Sequence, residues 1–472
     1  MIKKVLIANR GEIAVRIVRA CAELGIKSVA VYTDADKYSL HIKKADEAYS
    51  LGPDSVAGYL NAHRIVNLAV ATGCDAVHPG YGFLSENPLL AEICAKRNIC
   101  FIGPSASAIR SMGNKLEARR TMIEAGVPVT PGSDANIKDL KEAIGIANNL
   151  GYPIMLKATA GGGGRGIRRC ENETDLKQNF DRVISETQKA FGNSDIFIEK
   201  CIDNPRHIEV QVLADSHGHV IHLFERDCSI QRRHQKLLEI APSPQLSGEQ
   251  QEYLGTLAVK ATKAAKYHNA GTVEFLLDQD NNFYFMEMNT RLQVEHCVTE
   301  QITGVDIVQE QFRIAAGLKL KYKQSQIQKR GYAIEFRINA EDPKNDFLPS
   351  FGRVTRYLAP GGPGVRTDAA IYSGYEITPF YDSMCAKLIV WALDWDSLLN
   401  RSERALSDIQ VYGVKTTIPY YLEIIKSADF RNANFDTGFV EDHPELINYS
   451  VRRSSRHIAA AVAAAIAAHT GL

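Results

Sequence analysis

Residues 271 to 298 read GTVEFLLDQDNNFYFMEMNTRLQVEHCV, and the fold turns on what this stretch does. Two β-rich runs flank the turn-rich break at residues 278–282, a spacing that predicts a hairpin. With Asp278 opposite Phe283 across a four-residue loop, the register sets Glu274 directly across from Glu287 on the same face. Two carboxylates so placed repel and destabilise a sheet. The pair becomes favourable when a divalent cation lies between them, because Mg²⁺ takes carboxylate oxygens and completes its shell with phosphate and water. Asn289 adds a neutral oxygen two residues on. Farther along, an extended chain carries Glu287, Asn289, Arg291, Gln293 and Glu295 on one face, with Met288, Thr290, Leu292 and Val294 on the other. A solvated strand seldom presents carboxylate, amide, guanidinium, amide and carboxylate in one row, so the row reads as a charge-handling surface. Arg291 next to Glu295 is expected to keep that carboxylate ionised and ready to accept a proton.

The chain around this stretch has 472 residues and is 45% hydrophobic, enough to bury a large core divided among about three domains. Lys plus Arg and Asp plus Glu both number 55, so no global field attracts nucleic acid or an anionic membrane, and any anion site is local. Nine scattered cysteines without a C-x-x-C pair fit a reduced, cytoplasmic protein. The opening MIKKVLIANRGE breaks into polar residues before an h-region forms, so no signal peptide is expected, and no apolar run is long enough to span a bilayer.

The first hundred residues alternate short strands (KVLIAN, KSVAVYT, DAVHPG, CFIG) with helical patterns at residues 13–24 and 62–71, the rhythm of a doubly wound parallel sheet. The turn after the first strand, Asn9-Arg10-Gly11-Glu12, lacks G-x-G-x-x-G, which argues against a dinucleotide there. A helix at about 114–125 and the linker GVPVTPGS lead to a second unit with strands at YPIMLKATA, DIFIEK, HIEVQVLA, VIHLFER, GTVEFLLD and FYFMEMN. A third, strand-rich unit begins near residue 330 with AIEFRINA, GRVTRYLA and AKLIVWAL. The ending HIAAAVAAAIAAHTGL predicts an Ala-rich helix with Ile458, Val462 and Ile466 in one stripe. That stripe either packs on its own domain or docks on a partner subunit.

Two further segments carry anion chemistry. In KATAGGGGRGIRR a strand delivers Lys157, and the four glycines that follow, including Gly162, Gly163 and Gly164, let backbone N–H groups close over phosphate as a mobile lid. In HIEVQVLADSHGHVIHLFERDCSIQRRHQKLLE, His207, Glu209 and Gln211 share a strand face, and residues 231–236 form a basic loop suited to phosphate or a small anion. The histidines lack zinc-type spacing with any cysteine. With Lys115 in MGNKLEARR, the inventory is a Mg²⁺ pair, two phosphate lysines, a glycine lid and an anion pocket, which describes ATP-dependent activation of a small acid.

LIANRGEIAVRI, HPGYGFLSEN, KATAGGGGRGIR, ERDCSIQRRHQK, EMNTRLQVEH and RINAEDP, in this order, resemble the biotin carboxylase family of ATP-grasp enzymes over nearly the whole chain to about residue 445. The resemblance implies an α/β and α+β architecture: a Rossmann-like pre-ATP-grasp domain (1–114), an ATP-grasp domain (115–329) whose subdomain at about 131–203 closes as a lid, a C-terminal domain (330–447), and a tail (448–472). It also implies the reaction: ATP phosphorylates bicarbonate to carboxyphosphate, whose CO₂ is captured by N1 of biotin. In that scheme Lys115 and Lys157 hold ATP phosphates and Glu199 lies near the adenine. His207, Gln231 and His234 contact the ribose or nearby nucleotide. Glu274, Glu287 and Asn289 ligate Mg²⁺ or Mn²⁺. Lys236, Arg291, Gln293, Val294 and Glu295 form the bicarbonate pocket with Glu295 as base, Arg337 stabilises the biotin enolate, and Tyr81 lies near the biotin ring.

Cys297 stands where the family usually has Pro, which predicts a looser turn after the base. None of the seven Met is followed by Lys, so biotin is expected on a separate biotinylated carrier or carboxyltransferase subunit. HQKLLEIAPS and the tail favour a pyruvate or 2-oxo-acid carboxylase over an acetyl-CoA or other acyl-CoA carboxylase, and the family implies a homodimer. Two other readings are weighed: a different ATP-grasp ligase, against which RLQVEH and RINAEDP speak, and a non-catalytic nucleotide-binding subunit, which would be expected to lose Glu274, Glu287, Arg291 or Glu295.

Overall fold

The computed structural model describes residues 2–159, 166–191, 194–450 and 455–470. The expected phosphate glycines Gly162, Gly163 and Gly164 lie outside them. Five short runs form a parallel sheet in the spatial order Glu47–Ser50, Lys27–Tyr32, Lys4–Ile7, Ala76–His78, Cys100–Phe101. All-parallel sheets are covered on both faces. Accordingly Val5 and Ile7 pack toward the helix Gly11–Leu24, while Leu6, Val29 and Val31 pack toward Ala62–Ala71. Glu47–Ser50 had no expectation behind it, and its short, half-exposed sequence EAYS carries little hydrophobic signal.

The helix Lys115–Glu124 starts where Asn114 accepts from the N–H groups of Leu116 and Glu117, both at 3.1 Å, an N-cap that fixes where the Lys115 side chain begins. A small antiparallel sheet follows, ordered Ile167–Cys170, Ile154–Ala158, Ile196–Lys200, with the helices Leu140–Leu150 and Glu173–Phe191 packed on it around its own apolar cluster. Gly166, the first described residue after the glycine run, has φ +70°, and a Cβ there would sit 2.9 Å from that of Ala158, so only glycine fits.

An eight-stranded antiparallel sheet carries the rest: Phe283–Asn289, Asn269–Leu277, Arg206–Ala214, Val220–Asp227, Leu238–Ala241, Tyr332–Asn339, Met384–Ala392, Val365–Ala369. It runs without a break from the hairpin quoted above into the strand-rich third unit, so a single sheet spans both. GRVTRYLA does not form one strand. It splits into Gly352–Arg353 and Arg356–Leu358, which pair with different partners around the fully buried Val354. The C-terminal helix Ser455–Thr470 is present, with Val462 and Ile466 exposed at 51% and 57%, so this part of the stripe is not covered by its own chain.

Candidate active site

The hairpin pairs Glu274 with Glu287, as the spacing predicts, but by another route. The turn is one residue longer than expected: Leu277 pairs with Phe283, and Phe275 with Phe285. A β-bulge at Met286 then takes up the extra residue and restores Glu274 to Glu287. The strand itself stops at Asn289, and residues 290–295 continue as an irregular segment rather than an extension of the strand.

That segment delivers Gln293 and Glu295 onto the face of the large sheet, where the charges interlock. Lys236 donates to Glu209 Oε2 at 2.6 Å, Glu274 Oε1 at 3.0 Å and Glu295 Oε1 at 2.7 Å. Arg337 donates from Nη2 to Glu295 Oε2 at 3.0 Å and from Nε to Glu239 Oε1 at 2.6 Å. Burial alone raises the Glu295 carboxyl, but Lys236, Arg337 and Arg226 outweigh it and hold the group below the ordinary carboxylate value. It is therefore ionised, as expected, though not by the expected partner. Arg291 turns away to Asn289 Oδ1 (2.7 Å) and Glu86 Oε2 (3.0 Å), because a loop from the first domain brings Glu86 alongside. Lys236, whose burial disfavours charge, is held well above its usual value by the surrounding acids.

The sequence reading missed the residue that organises this cluster. Arg226 is fully buried, and all five N–H donors are used: Nε to Glu209 (2.5 Å), Nη1 to Gln211 (2.7 Å) and Thr299 (3.0 Å), and Nη2 to Thr272 (3.0 Å) and Gln293 (2.7 Å). A guanidinium set between Glu225 and Asp227 at the buried end of the strand VIHLFERD is the signal that marks it. Glu239, Glu86, Glu12 and Lys387 were missed as well, Glu239 being a lone acid in the apolar run LEIA.

Beyond the acids lies a cleft between the small sheet and the bulged strand. Val129, Ile167, Phe197, Phe285 and Met286 give it apolar walls, and Lys115, Lys157, Glu199 and Glu287 its charges. Lys157 ion-pairs with Glu199, which also meets Arg119 at 3.4 Å. Burial lowers the pKa of Lys115, with Glu287 partly offsetting it. Glu287 has no hydrogen bond or ion pair from a described residue, and burial together with Glu274 raises its pKa. An unpartnered carboxyl facing a second acid and two lysines fits a divalent cation shared with phosphate. Glu274 is more occupied: its Oε1 accepts from Lys236, Asn289 and Gln293, and its Oε2 meets His207 Nε2 at 2.9 Å. Asn289 presents its Nδ2 to Glu274, with Oδ1 taken by Arg291, so here it bridges rather than offering a free oxygen.

Three other expected residues sit differently from the simplest picture. His207 is buried against Glu274 rather than open to a nucleotide. Gln231 is buried at the base of a two-residue hairpin whose tip, Arg233 and His234, has positive φ and is exposed. Tyr81 is partly buried with its hydroxyl bonded to Glu12, its loop pinned by Asn9 Nδ2 donating to the carbonyls of Pro79 and Tyr81, each at 2.7 Å. Val294 lies in the segment between Gln293 and Glu295, and its carbonyl accepts from Lys387 at 2.6 Å. The turn after the base is not loose: Cys297 is fully buried in the first turn of the helix His296–Thr303, and its thiol donates to Asp368 Oδ2 at 3.3 Å.

A small antiparallel sheet and a large one, with paired acids and lysines in the cleft between them, define an ATP-grasp enzyme. The chain matches the families described as "Biotin carboxylase, N-terminal domain" over residues 1–109, "Carbamoyl-phosphate synthase L chain, ATP binding domain" over 114–323, and "Biotin carboxylase C-terminal domain" over 335–442. It is 54% identical to the 2-oxoglutarate carboxylase small subunit of Hydrogenobacter thermophilus over 472 residues, all of both chains. It is also 54% identical to biotin carboxylase 1 of Bacillus subtilis over 445 residues, 94% of this chain and 99% of that one. Among solved structures, the H. thermophilus 2-oxoglutarate carboxylase biotin carboxylase domain, a dimer in complex with MgADP, ADP and bicarbonate, superposes with TM-score 0.94 at 55% identity, covering 96% of this chain and all of that one. The chain belongs to the biotin carboxylase family. Among its described residues no helix is long and apolar enough to cross a membrane.

Proposed function

We propose that this chain carboxylates biotin carried on a separate protein, using ATP and bicarbonate, as the first half-reaction of a biotin-dependent carboxylase. The observation that carries the reading is Glu295, an ionised carboxylate gripped by Lys236 and Arg337 at the end of a segment that begins at the nucleotide cleft. Lys115 and Lys157 hold the ATP phosphates, with Gly162, Gly163 and Gly164 as further phosphate-binding residues, and Glu199, Gln231 and His234 contribute on the nucleoside side, His207 acting through its contact with Glu274. Glu274 and Glu287 would hold Mg²⁺ or Mn²⁺, joined by Asn289 once Arg291 leaves its Oδ1, and the ion would supply positive charge to offset that of the phosphates.

Bicarbonate binds among Lys236, Arg291, Gln293, Val294 and Glu295. Glu295 takes its proton as its oxygen attacks the γ-phosphorus, giving ADP and carboxyphosphate. Carboxyphosphate breaks down to CO₂ and phosphate, the released phosphate takes the N1–H proton of biotin, and the resulting enolate, its oxygen facing Arg337, captures the CO₂ at N1. Tyr81 stands at the biotin side. For bicarbonate to reach Arg291, the pairing of that side chain with Glu86 opens.

The acceptor of the whole complex is a 2-oxo acid, pyruvate or 2-oxoglutarate. Supporting this, the 2-oxoglutarate carboxylase small subunit aligns through the tail, whereas the alignment to biotin carboxylase 1 covers 445 residues. The enzyme works in the cytoplasm as a homodimer with a biotinylated carboxyltransferase partner. The dimeric relative supports the homodimer, and the words "small subunit" support a separate partner subunit.

The test is ADP release with Mg²⁺, with and without bicarbonate, then with free biotin. Release is expected to require bicarbonate and to rise with biotin. Hydrolysis indifferent to both would return the site to a general ATP-grasp ligase or a regulatory subunit.

A further inference from the structure

Lys387 is fully buried in the middle of the strand Met384–Ala392, directly across from Arg337. Burying an ammonium is costly unless its donors are used. Its carboxylate neighbours are not its closest partners: Glu12 Oε1 lies at 3.3 Å and Glu335 Oε2 at 3.9 Å, while the Val294 carbonyl oxygen accepts from Nζ at 2.6 Å. One peptide earlier, the Gln293 carbonyl takes the His296 Nδ1 at 2.8 Å and the His296 backbone N–H at 3.4 Å. Both peptides are trans, and in a trans peptide the N–H is directed opposite to the C=O. Turning these two carbonyls onto His296 and Lys387 therefore turns the N–H groups of Val294 and Glu295 away from those partners. Among the described residues no group accepts from either N–H.

We propose that Lys387 is a positioning residue for the anion pocket: by holding the Val294 carbonyl, it makes the peptide between Val294 and Glu295 offer the Glu295 N–H rather than a carbonyl oxygen to bicarbonate, as His296 does for the preceding peptide. The inference rests on the bicarbonate pocket proposed above. One peptide rotation would exchange an attractive dipole for a repulsive one at the anion, so the direction of that peptide matters more than its position. The lysine acts through the backbone and touches no substrate. The competing account is that Lys387 is merely the counter-charge of Glu12, whose other contact is the Tyr81 hydroxyl.

The two accounts separate in the double variant Lys387→Met/Glu12→Gln, which removes the carbonyl's donor together with its nearer carboxylate and leaves only Glu335, at 3.9 Å, whose carboxyl burial already drives toward the neutral form. Lys387→Met alone is expected to melt lower, and the second substitution to recover the melting temperature. The double variant should bind MgADP with parental affinity and require roughly 10- to 100-fold more bicarbonate for half-maximal ADP release. A double variant with the parental KM for bicarbonate overturns the inference and leaves Lys387 a counter-charge. Arg291→Ala is assayed in parallel. If it raises the bicarbonate KM while the double variant does not, only the Lys387 inference falls, and if neither moves it, the pocket reading falls as well.

Discussion

The nucleotide cleft and the acceptor pocket lie along one strand and its continuation, yet they are built on opposite terms. In the cleft, Glu287 has no described partner and Lys115 loses part of its hold on a proton to burial, so charge there is left for ligands to satisfy. In the acceptor pocket the charged side chains are already paired: Arg226 uses every donor, Lys236 meets three carboxylates, and Glu295 has a cation on each oxygen. A site of the first kind is completed by what binds it. A site of the second kind holds its geometry in advance and must be partly opened by its substrate, as the Arg291–Glu86 pair illustrates.

Five experiments break or sharpen that contrast. The largest effect belongs to Glu295→Gln, expected to cut bicarbonate-dependent ADP release by about 10³-fold or more while calorimetry shows MgADP binding intact. Full activity in that variant would remove the base assignment. Next comes Arg226→Met, which leaves Glu209 buried without its guanidinium. It should cost about 3–5 kcal/mol in denaturant unfolding, a loss the cleft cannot show because nothing there is so committed.

Acid comes third. His41, His78 and His296 are fully buried and neutral, with burial depressing their pKa values to about 4, 3 and 3. Below about pH 6.5 the unfolded chain binds protons that these folded sites refuse, so stability falls with pH by about 2 kcal/mol per histidine at pH 5. Thermal melts across pH 5 to 7 should show this decline before the carboxylates contribute. Glu300, lowered to about 2 because Arg16, His296 and Arg366 outweigh the effect of burial, loses its contribution only as pH falls below about 4.5 toward 2.

Glu287→Gln is smaller again: stability should hold or rise slightly, because a carboxyl raised by its neighbours is gone, while the Mg²⁺-dependent part of ATP affinity disappears in titrations with and without the metal. A fall in stability matching that of Arg226→Met would erase the contrast. Removal of residues 451–472 should leave free-biotin carboxylation within about twofold and weaken co-elution with the biotinylated partner subunit, since Val462 and Ile466 are exposed and distant from the site's residues in the chain. Unchanged complex formation would instead remove the docking reading of the stripe.

Much of this site was legible because period-2 arguments work for antiparallel strands with one polar face. The pairing of Glu274 with Glu287 followed from a turn signal and a count of residues. What the count could not see was the bulge, since an extra residue in the strand and an extra residue in the loop compensate. Arg226 and Lys387 escaped for a different reason. Lys387 is a lone charge inside an apolar run and Arg226 stands between two acids of its own strand, while the partners of both come from strands and turns distant in sequence: Thr299 and Gln293 for Arg226, Val294 and Glu12 for Lys387. The misassigned neighbour of Glu295 has the same origin, because adjacency along the chain suggested Arg291 while the sheet supplied Arg337 from 42 residues away.

The bulge at Met286 has one more consequence. On a regular strand, consecutive side chains point to opposite sides, and Phe283, Phe285, Glu287 and Asn289 would share a side. Here Phe283 and Phe285 belong to the apolar interior together with Met288, three positions on, while Glu287 stands opposite Glu274. The extra residue inverts the phase of the strand midway. Aromatic anchors and a ligand carboxylate can then occupy what would otherwise be one side, and Met286 with Glu287 brings a greasy wall and an acid to the same cleft from neighbouring positions. A protein that must stack a flat ring beside a charged phosphate tail gains both surfaces from a single irregularity.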